Sequence, residues 1–155
     1  MLTLDGVPLI YNGMEVGDTT ESGAPALFEK LPIFWQISER RQEFPRFYRQ
    51  MLALRRTHAA LRQGETEWLR NTDDSRVVTF ARRAGNEEFV IAVNFSNHSF
   101  VGTVEVAGGS AFLEVTPDIT GIASSAANNA KARPAALPAL ALDAWGFRIF
   151  RREGR

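Results

Sequence analysis

The sequence predicts a mostly β chain with one long helix, followed by a C-terminal antiparallel β-sandwich with Greek-key connections. Apolar side chains recur at helical spacing between residues 43 and 62. After Gly64 the apolar period changes to two, in short β-branched or aromatic runs separated by turn residues. A third feature, an unbroken apolar run at residues 7–11, indicates a further strand before the helix.

The run at residues 7–11 lies between Gly6 and Gly13 and shows no alternation of apolar and polar side chains. Such a run is typical of a parallel strand that is buried on both faces, as in an α/β barrel. No second run of this kind follows in the sequence. We therefore expect the chain to be a fragment of a larger protein.

Residues 18–36 combine Thr, Ser, Gly and Pro and predict a long structured loop with Phe28 and Trp35 as aromatic anchors. The helix predicted next has Pro45 in its first turn, where the missing N–H group is tolerated. Gly64 stands where a C-terminal cap is expected.

Strands are predicted at residues 76–82, 88–95, 100–106, 111–115, 137–142 and 145–151. In the third of these, Phe100 and Val104 share one face while Val101 and Thr103 share the other, which fits a sheet with one wet side. Residues 119–136 are rich in Ala, Ser and Asn and are interrupted by Gly121 and other turn residues, so we predict a loop there. These short strands predict a small β-sandwich.

Composition excludes several functions. The 155 residues carry 18 basic and 18 acidic side chains, so no net field favours nucleic acid or a membrane surface as a partner. No cysteine, secretory signal or membrane span is visible, which favours a cytoplasmic protein. His58 and His98 stand alone, without further ligands at metal spacing, so neither a metal nor a cofactor is predicted.

Several segments, in this order along the chain, resemble the α-amylase family (glycoside hydrolase family 13). They are GVPLIYNGMEVG at residues 6–17, LPIFW at 31–35, FYRQMLALRR at 47–56, HAALRQGE at 58–65, VTFARR at 78–83, VIAVNFS at 90–96 and LDAWGFRIF at 142–150. The first resembles the eighth strand of that family's (β/α)8 barrel and the loop after it. Family members usually carry two tyrosines before the second glycine, whereas here Asn12 takes the second place.

The resemblance implies two parts. Residues 1–63 would be a remnant of the barrel, with its last strand, loop and helix, and residues 64–155 would be the C-terminal β-sandwich domain. No segment resembles those that carry the family's catalytic carboxylates. Retaining glycosidases need two carboxyl groups roughly 5 Å apart, so we expect no catalytic residue in this chain and no activity of its own.

The resemblance also implies that Tyr11, Glu15, Asp18 and Trp35 lie on the substrate side of the intact parent. Glu15 could instead cap backbone amides in a glycine-rich turn, and we favour that interpretation. Trp35, with Phe34 and Phe28, could stack on a sugar, but aromatic side chains are more often packing anchors.

Three functions follow from these observations. The first is a structural C-terminal fragment of an enzyme that cleaves or transfers α-glucosidic bonds in α-glucans or maltooligosaccharides. The alternative is a non-catalytic carbohydrate-binding β-sandwich module. The third is self-association through the N-terminal strand, because each fully buried apolar side chain in it is worth roughly 1.5 to 3 kcal/mol.

Overall fold

The computed structural model describes residues 1–19, 30–118 and 137–153. Its helices are α1 (Ile37–Arg40), α2 (Glu43–Thr57) and α3 (Ala59–Gln63). Its strands are β1 (Glu65–Leu69), β2 (Val77–Ala84), β3 (Glu87–Asn94), β4 (Phe100–Thr103), β5 (Leu113–Glu114), β6 (Ala139–Leu142) and β7 (Phe147–Glu153). The chain is therefore mostly β with few helices, as predicted. None of the described helices is long and apolar enough to cross a membrane.

The strands form two antiparallel sheets. The larger sheet has the order β1-β2-β3-β7-β5, and β4 pairs with β6 in a separate two-stranded sheet. In the large sheet Ile91 of β3 lies between Phe80 and Ile149, and its neighbour Val90 lies between Ala81 and Phe150. The Greek-key order of the predicted sandwich stays a prediction.

Both faces of the large sheet are buried. One face packs against the β4–β6 sheet in a core that contains Val77, Ala81, Val90, Ala92, Phe100, Phe112, Leu140, Leu142 and Phe150. The other face packs against the helices in a second core that contains Leu2, Met51, Ala60, Leu61, Phe80, Phe89, Ile91 and Ile149. Since successive residues of a strand point to opposite faces, Phe89 and Val90 belong to different cores. The expected wet side is found on β4, where Phe100 is buried and Val101 is exposed.

The predicted helix forms as two segments. α2 ends at Thr57 and α3 begins at Ala59, because His58 takes an extended backbone conformation with φ −111° and ψ 121°. Gly64 follows α3 as predicted, but it is extended rather than left-handed. A Cβ atom at Gly64 would lie 2.3 Å from the Ala60 carbonyl oxygen, so close approach of the backbone requires glycine here.

β1 was not predicted. Its residues, ETEWL, carry two glutamates and show no clean alternation in burial. The strand forms because every one of its residues pairs with a residue of β2, with Trp68 opposite Phe80. As an edge strand with one free side, β1 tolerates charged side chains that a central strand would exclude.

The strand predicted at residues 7–11 is not formed. Val7 is 96% exposed and Leu9 is 77% exposed. A parallel strand needs neighbours on both sides, and no strand of the described chain lies beside this segment. The side chains of Val7 and Leu9 therefore stay in solvent, while Pro8 and Ile10 are partly buried.

Residues just before this segment are fixed to α2. Arg55 is buried, and its guanidinium donates hydrogen bonds to the carbonyl oxygens of Leu2, Leu4 and Gly6 at 3.2, 2.7 and 2.5 Å. Leu2 itself is buried in the core between the helices and the sheet. Hydrogen bonds to Arg55 thus hold the backbone against α2 as far as Gly6, and Val7, the next residue, is exposed.

Candidate functional site

Residues 11–18, here called the site turn, form a compact 3₁₀ turn. The amide of Met14 donates to the carbonyl of Tyr11 at 3.1 Å, and the amides of Val16 and Asp18 donate to the carbonyl of Gly13 at 3.2 and 2.9 Å. Gly13 has φ 87° and Gly17 has φ 69°, both in the left-handed region that favours glycine. The glycines therefore fix the shape of the turn on which three of the predicted site residues stand.

Gly17 also seats the site turn on α2. A Cβ atom at this position would lie 2.9 Å from the ring of Phe44, which belongs to the first turn of α2. Val16, beside it, is buried. The turn is held by packing against the helix, even though Val7 and Leu9 before it are exposed.

Asp18 connects the turn to the loop before α1. Its Oδ2 atom accepts a hydrogen bond from the amide of Phe34 at 3.2 Å. Ile33 approaches the turn as well, since a Cβ atom on Gly13 would lie 3.6 Å from its side chain. Asp18 thus brings the residue before Trp35 onto the turn and has a structural role there.

Glu15 faces α2. Its Oε2 atom is buried and has no hydrogen-bond partner among the residues that the structure describes, so this oxygen caps no backbone amide. Burial, and then the negative charge of Glu15, raise the pKa of the Tyr48 hydroxyl on α2. The carboxylate therefore lies against the helix rather than in open solvent.

Tyr11 and Trp35 are both about half exposed, at 46% and 53%. The Trp35 carbonyl accepts a hydrogen bond from the Ser38 hydroxyl at 2.8 Å, which ties its backbone to α1. About half of the Trp35 surface therefore remains in solvent. Phe28, the third aromatic residue of the predicted platform, lies outside the described residues.

The structure thus brings Tyr11, Glu15 and Asp18 onto one turn and places Trp35 next to the residue that Asp18 binds. Of the two carboxylates, one binds a backbone amide and the other faces a tyrosine. The described residues contain no group of three His, Cys, Asp or Glu side chains that could hold a metal ion.

His58 lies at the break between α2 and α3. Its Nδ1 atom is 2.7 Å from Oε1 of Glu87, and its ring meets that of Phe89 edge-on at 5.0 Å. Burial by itself would raise the pKa of the Glu87 carboxyl. Hydrogen bonds from His58 and the Ala60 amide, together with the charges of His58 and Arg151, outweigh this effect, so the pKa is lowered. This cluster ties the helix break to β3. His98 lies in a bend between β3 and β4.

Sequence reasoning missed one feature in the turn before β7. Trp145 is 67% exposed and has φ 55°, the only positive φ of a non-glycine residue in the described ranges. Phe95, on the neighbouring loop, is 63% exposed. The signal in the sequence was a tryptophan directly before a glycine within a predicted strand, a position where the chain in fact turns.

Comparison with protein-family models finds no match. A cyclomaltodextrinase from Geobacillus thermopakistaniensis is 33% identical over 98 residues, which are 63% of this chain and 16% of that protein. An α-amylase 2 from Dictyoglomus thermophilum is 29% identical over 102 residues, which cover 61% of this chain and 17% of that protein.

Among solved structures, the isomaltulose synthase of Klebsiella sp. LX3 matches with a TM-score of 0.58 and 26% identity. The match covers 77% of this chain and 19% of the synthase. The chain therefore spans less than a fifth of the length of each of these three proteins.

Proposed function

Since about 60% of this chain is related to glycoside hydrolases of the α-amylase family, we propose that it is the C-terminal, structural part of an enzyme that acts on α-glucans. In this proposal the chain carries no catalytic carboxylate. Its own work is to cover the apolar face of the last barrel helix and to hold that helix in place. The parent enzyme would cleave or transfer α-glucosidic bonds with carboxylates supplied by other segments.

The observation that carries the proposal is the packing of α2 and α3 on the large sheet. Met51 and Leu61, on the two helices, share a core with Phe89 and Ile149 of the sheet. Arg82, fully buried on β2, donates hydrogen bonds to the Ala60 and Leu61 carbonyl oxygens at 3.3 and 3.5 Å. The shared apolar core and the hydrogen bonds of Arg82 together hold α2 and α3 on the sheet.

The proposal assigns Tyr11, Glu15, Asp18 and Trp35 to the substrate side of the intact enzyme. Support comes from the position of the site turn, directly after the segment that resembles a barrel strand, where barrel enzymes build their sites. Within this chain Asp18 binds a backbone amide. In the intact enzyme, Asp18 would shape the substrate side and would not transfer protons.

Incubation of the purified chain with soluble starch and with a chromogenic maltooligosaccharide tests the proposal. The cyclomaltodextrinase relative, at equal molar concentration, serves as the positive control and the heat-killed chain as the blank. We expect the chain to give the rate of the blank. Turnover above the blank that disappears in a Glu15→Gln variant would show that the chain has catalytic groups of its own.

A non-catalytic carbohydrate-binding module is the second candidate. It is favoured by two tryptophans with most of their surface in solvent, Trp68 on β1 and Trp145 in the turn before β7. Affinity electrophoresis in gels that contain soluble starch separates the two candidates. A purely structural chain migrates at the same rate with and without starch, whereas a binding module is retarded.

A further inference from the structure

We propose that a cavity beside the first turn of α2 binds a phosphate group, carried either by a free phosphate ion or by the phosphate monoester of a sugar. This cavity, here called the α2 cavity, has a volume of about 220 Å³ and is lined by Ser38, Gln42, Pro45, Arg46 and Arg49. The inference adds a site that the proposed function neither contains nor requires.

The α2 cavity lies on the side of α2 that faces away from the sheet. Since 3.6 residues make one helical turn, Arg49 is rotated by about 160° and Arg46 by about 140° from Met51. Met51 is buried in the core between the helices and the sheet. Phe44, which packs on Gly17 of the site turn, lies within about 20° of Met51 on the helix. The cavity is therefore separate from the core and from the site turn.

The two arginines of the α2 cavity have no anionic partner among the residues that the structure describes. Neither side chain makes a hydrogen bond, an ion pair or an aromatic contact with a described residue. No carboxylate lines the cavity. Glu43, in the same helical turn as Arg46, instead pairs with Arg41 at 3.2 Å. Two positive charges thus line one cavity without compensation.

The position of these charges on the helix makes the missing partner costly. Arg46 lies in the first turn of α2, where the helix dipole is positive and a cation is unfavourable. Arg49 follows three residues later, so two like charges are neighbours on the helix surface. An anion in the cavity would relieve both repulsions and would meet the positive end of the helix dipole.

The donors of the α2 cavity suit a tetrahedral oxyanion. A guanidinium group donates two parallel N–H bonds to phosphate oxygens, and a phosphate group has enough oxygens for two such groups. The side-chain amide of Gln42 adds a neutral donor. The Ser38 hydroxyl is already donated to the Trp35 carbonyl at 2.8 Å, so it is available only as an acceptor. At ~30 Å³ for each water molecule, the cavity holds the volume of about seven waters, which is room for a phosphate group and part of a group attached to it.

Thermal unfolding in sodium phosphate and in sodium chloride of equal ionic strength is the test. A ligand that binds the folded chain raises the melting temperature in a saturable manner, whereas charge screening is the same in both salts. The test variant is the Arg46→Gln, Arg49→Gln chain. The matched control is the Arg56→Gln, Arg70→Gln chain, which also loses two positive charges, at exposed arginines that do not line the cavity.

We expect phosphate to raise the melting temperature of the wild-type chain and of the control alike. The test variant should bind phosphate about tenfold more weakly or worse, because it loses charge-assisted hydrogen bonds. An equal rise in chloride, or an equal loss of the phosphate effect in the control variant, would overturn the inference.

Equilibrium dialysis of the wild-type chain against radiolabelled inorganic phosphate does not depend on the folding of any variant. We expect saturable binding of about one phosphate per chain that chloride of equal ionic strength does not displace. Competition by glucose 6-phosphate then separates the two sources of the group. Stronger competition than by unlabelled phosphate assigns a sugar phosphate, and equal or weaker competition assigns the free ion. Binding that does not saturate would refute the site.

The inference and the proposed function fail independently. Loss of the phosphate effect leaves the structural role of the chain intact, since that role rests on the opposite side of α2. Turnover of starch by the purified chain would overturn the structural role whether or not phosphate binds.

Discussion

Phe89 and Val90 are adjacent on β3, yet each lies in a different core, and this makes them the sharpest test of the architecture. Phe89 faces the helices and Val90 faces the β4–β6 sheet. Both are 0% exposed. If both faces of the sheet are covered, truncation of either side chain to alanine must leave a buried cavity.

The expected losses differ in size. Phe89→Ala should lower the free energy of unfolding by about 3 to 5 kcal/mol, the usual loss for a buried phenylalanine. Val90→Ala removes two methyl groups, at about 0.8 kcal/mol for each buried carbon. With its cavity it should lose about 2 kcal/mol. For a chain of this length each kcal/mol shifts the melting temperature by roughly 2 to 4 °C.

Thermal and urea unfolding followed by circular dichroism measure these losses. Val101→Ala is the matched control, because Val101 is a strand valine that is mostly exposed. We expect it to change stability by no more than about 0.5 kcal/mol. A loss below about 1 kcal/mol for Phe89→Ala, beside a full loss for Val90→Ala, would refute the packing of the helices on the sheet.

Three further outcomes follow. Gly17→Ala should lower stability by about 1 to 2 kcal/mol in the same unfolding assays, because φ 69° and the Phe44 ring at 2.9 Å both oppose a Cβ atom; an unchanged melting temperature would contradict this. The pKa of Glu87 is lowered by folding from its ordinary value of 4.5, so its stabilising contribution is present above that pH and is lost as the pH falls through the folded pKa. Stability measured from pH 6 to 3 should therefore fall less steeply for Glu87→Gln than for the wild type, and parallel pH dependences would rule out a stabilising contribution of the Glu87 carboxylate. The exposed segment at residues 7–11 should promote self-association, seen as a weight-average mass that rises with concentration in light scattering and returns to that of the monomer when Val7 and Leu9 are replaced by Ser; a monomer at all concentrations would argue against it.

Most strands could be predicted because their sequences contain local signals. Six of the predicted runs overlap the observed strands from β2 to β7, and each is bounded by turn residues. β1 was missed because ETEWL has neither the alternation nor the composition of a typical strand. Its pairing with β2 depends on tertiary contacts that a local pattern does not report.

The break at His58 was also invisible in the apolar period. The spacing of Leu54 and Leu61 is consistent with one continuous helix, and no proline or glycine interrupts it. The interruption comes from a side chain far away in sequence, because Glu87 binds both His58 and the Ala60 amide, the latter at 3.4 Å. Such a polar contact stabilises an extended residue that helix propensity alone would not select.

For the predicted site residues, the sequence indicated the position of the turn but not the role of each side chain. Glycines at positions 13 and 17 marked the turn correctly, since both adopt positive φ. The pattern could not indicate that Asp18 would bind the Phe34 amide, or that a Glu15 oxygen would lie buried without a partner. An uncompensated buried carboxylate oxygen is costly. In the enzyme proposed above, we therefore expect this surface of the site turn to acquire a hydrogen-bond donor from another segment, and a Glu15→Gln variant should weaken that contact without disturbing the fold of this chain.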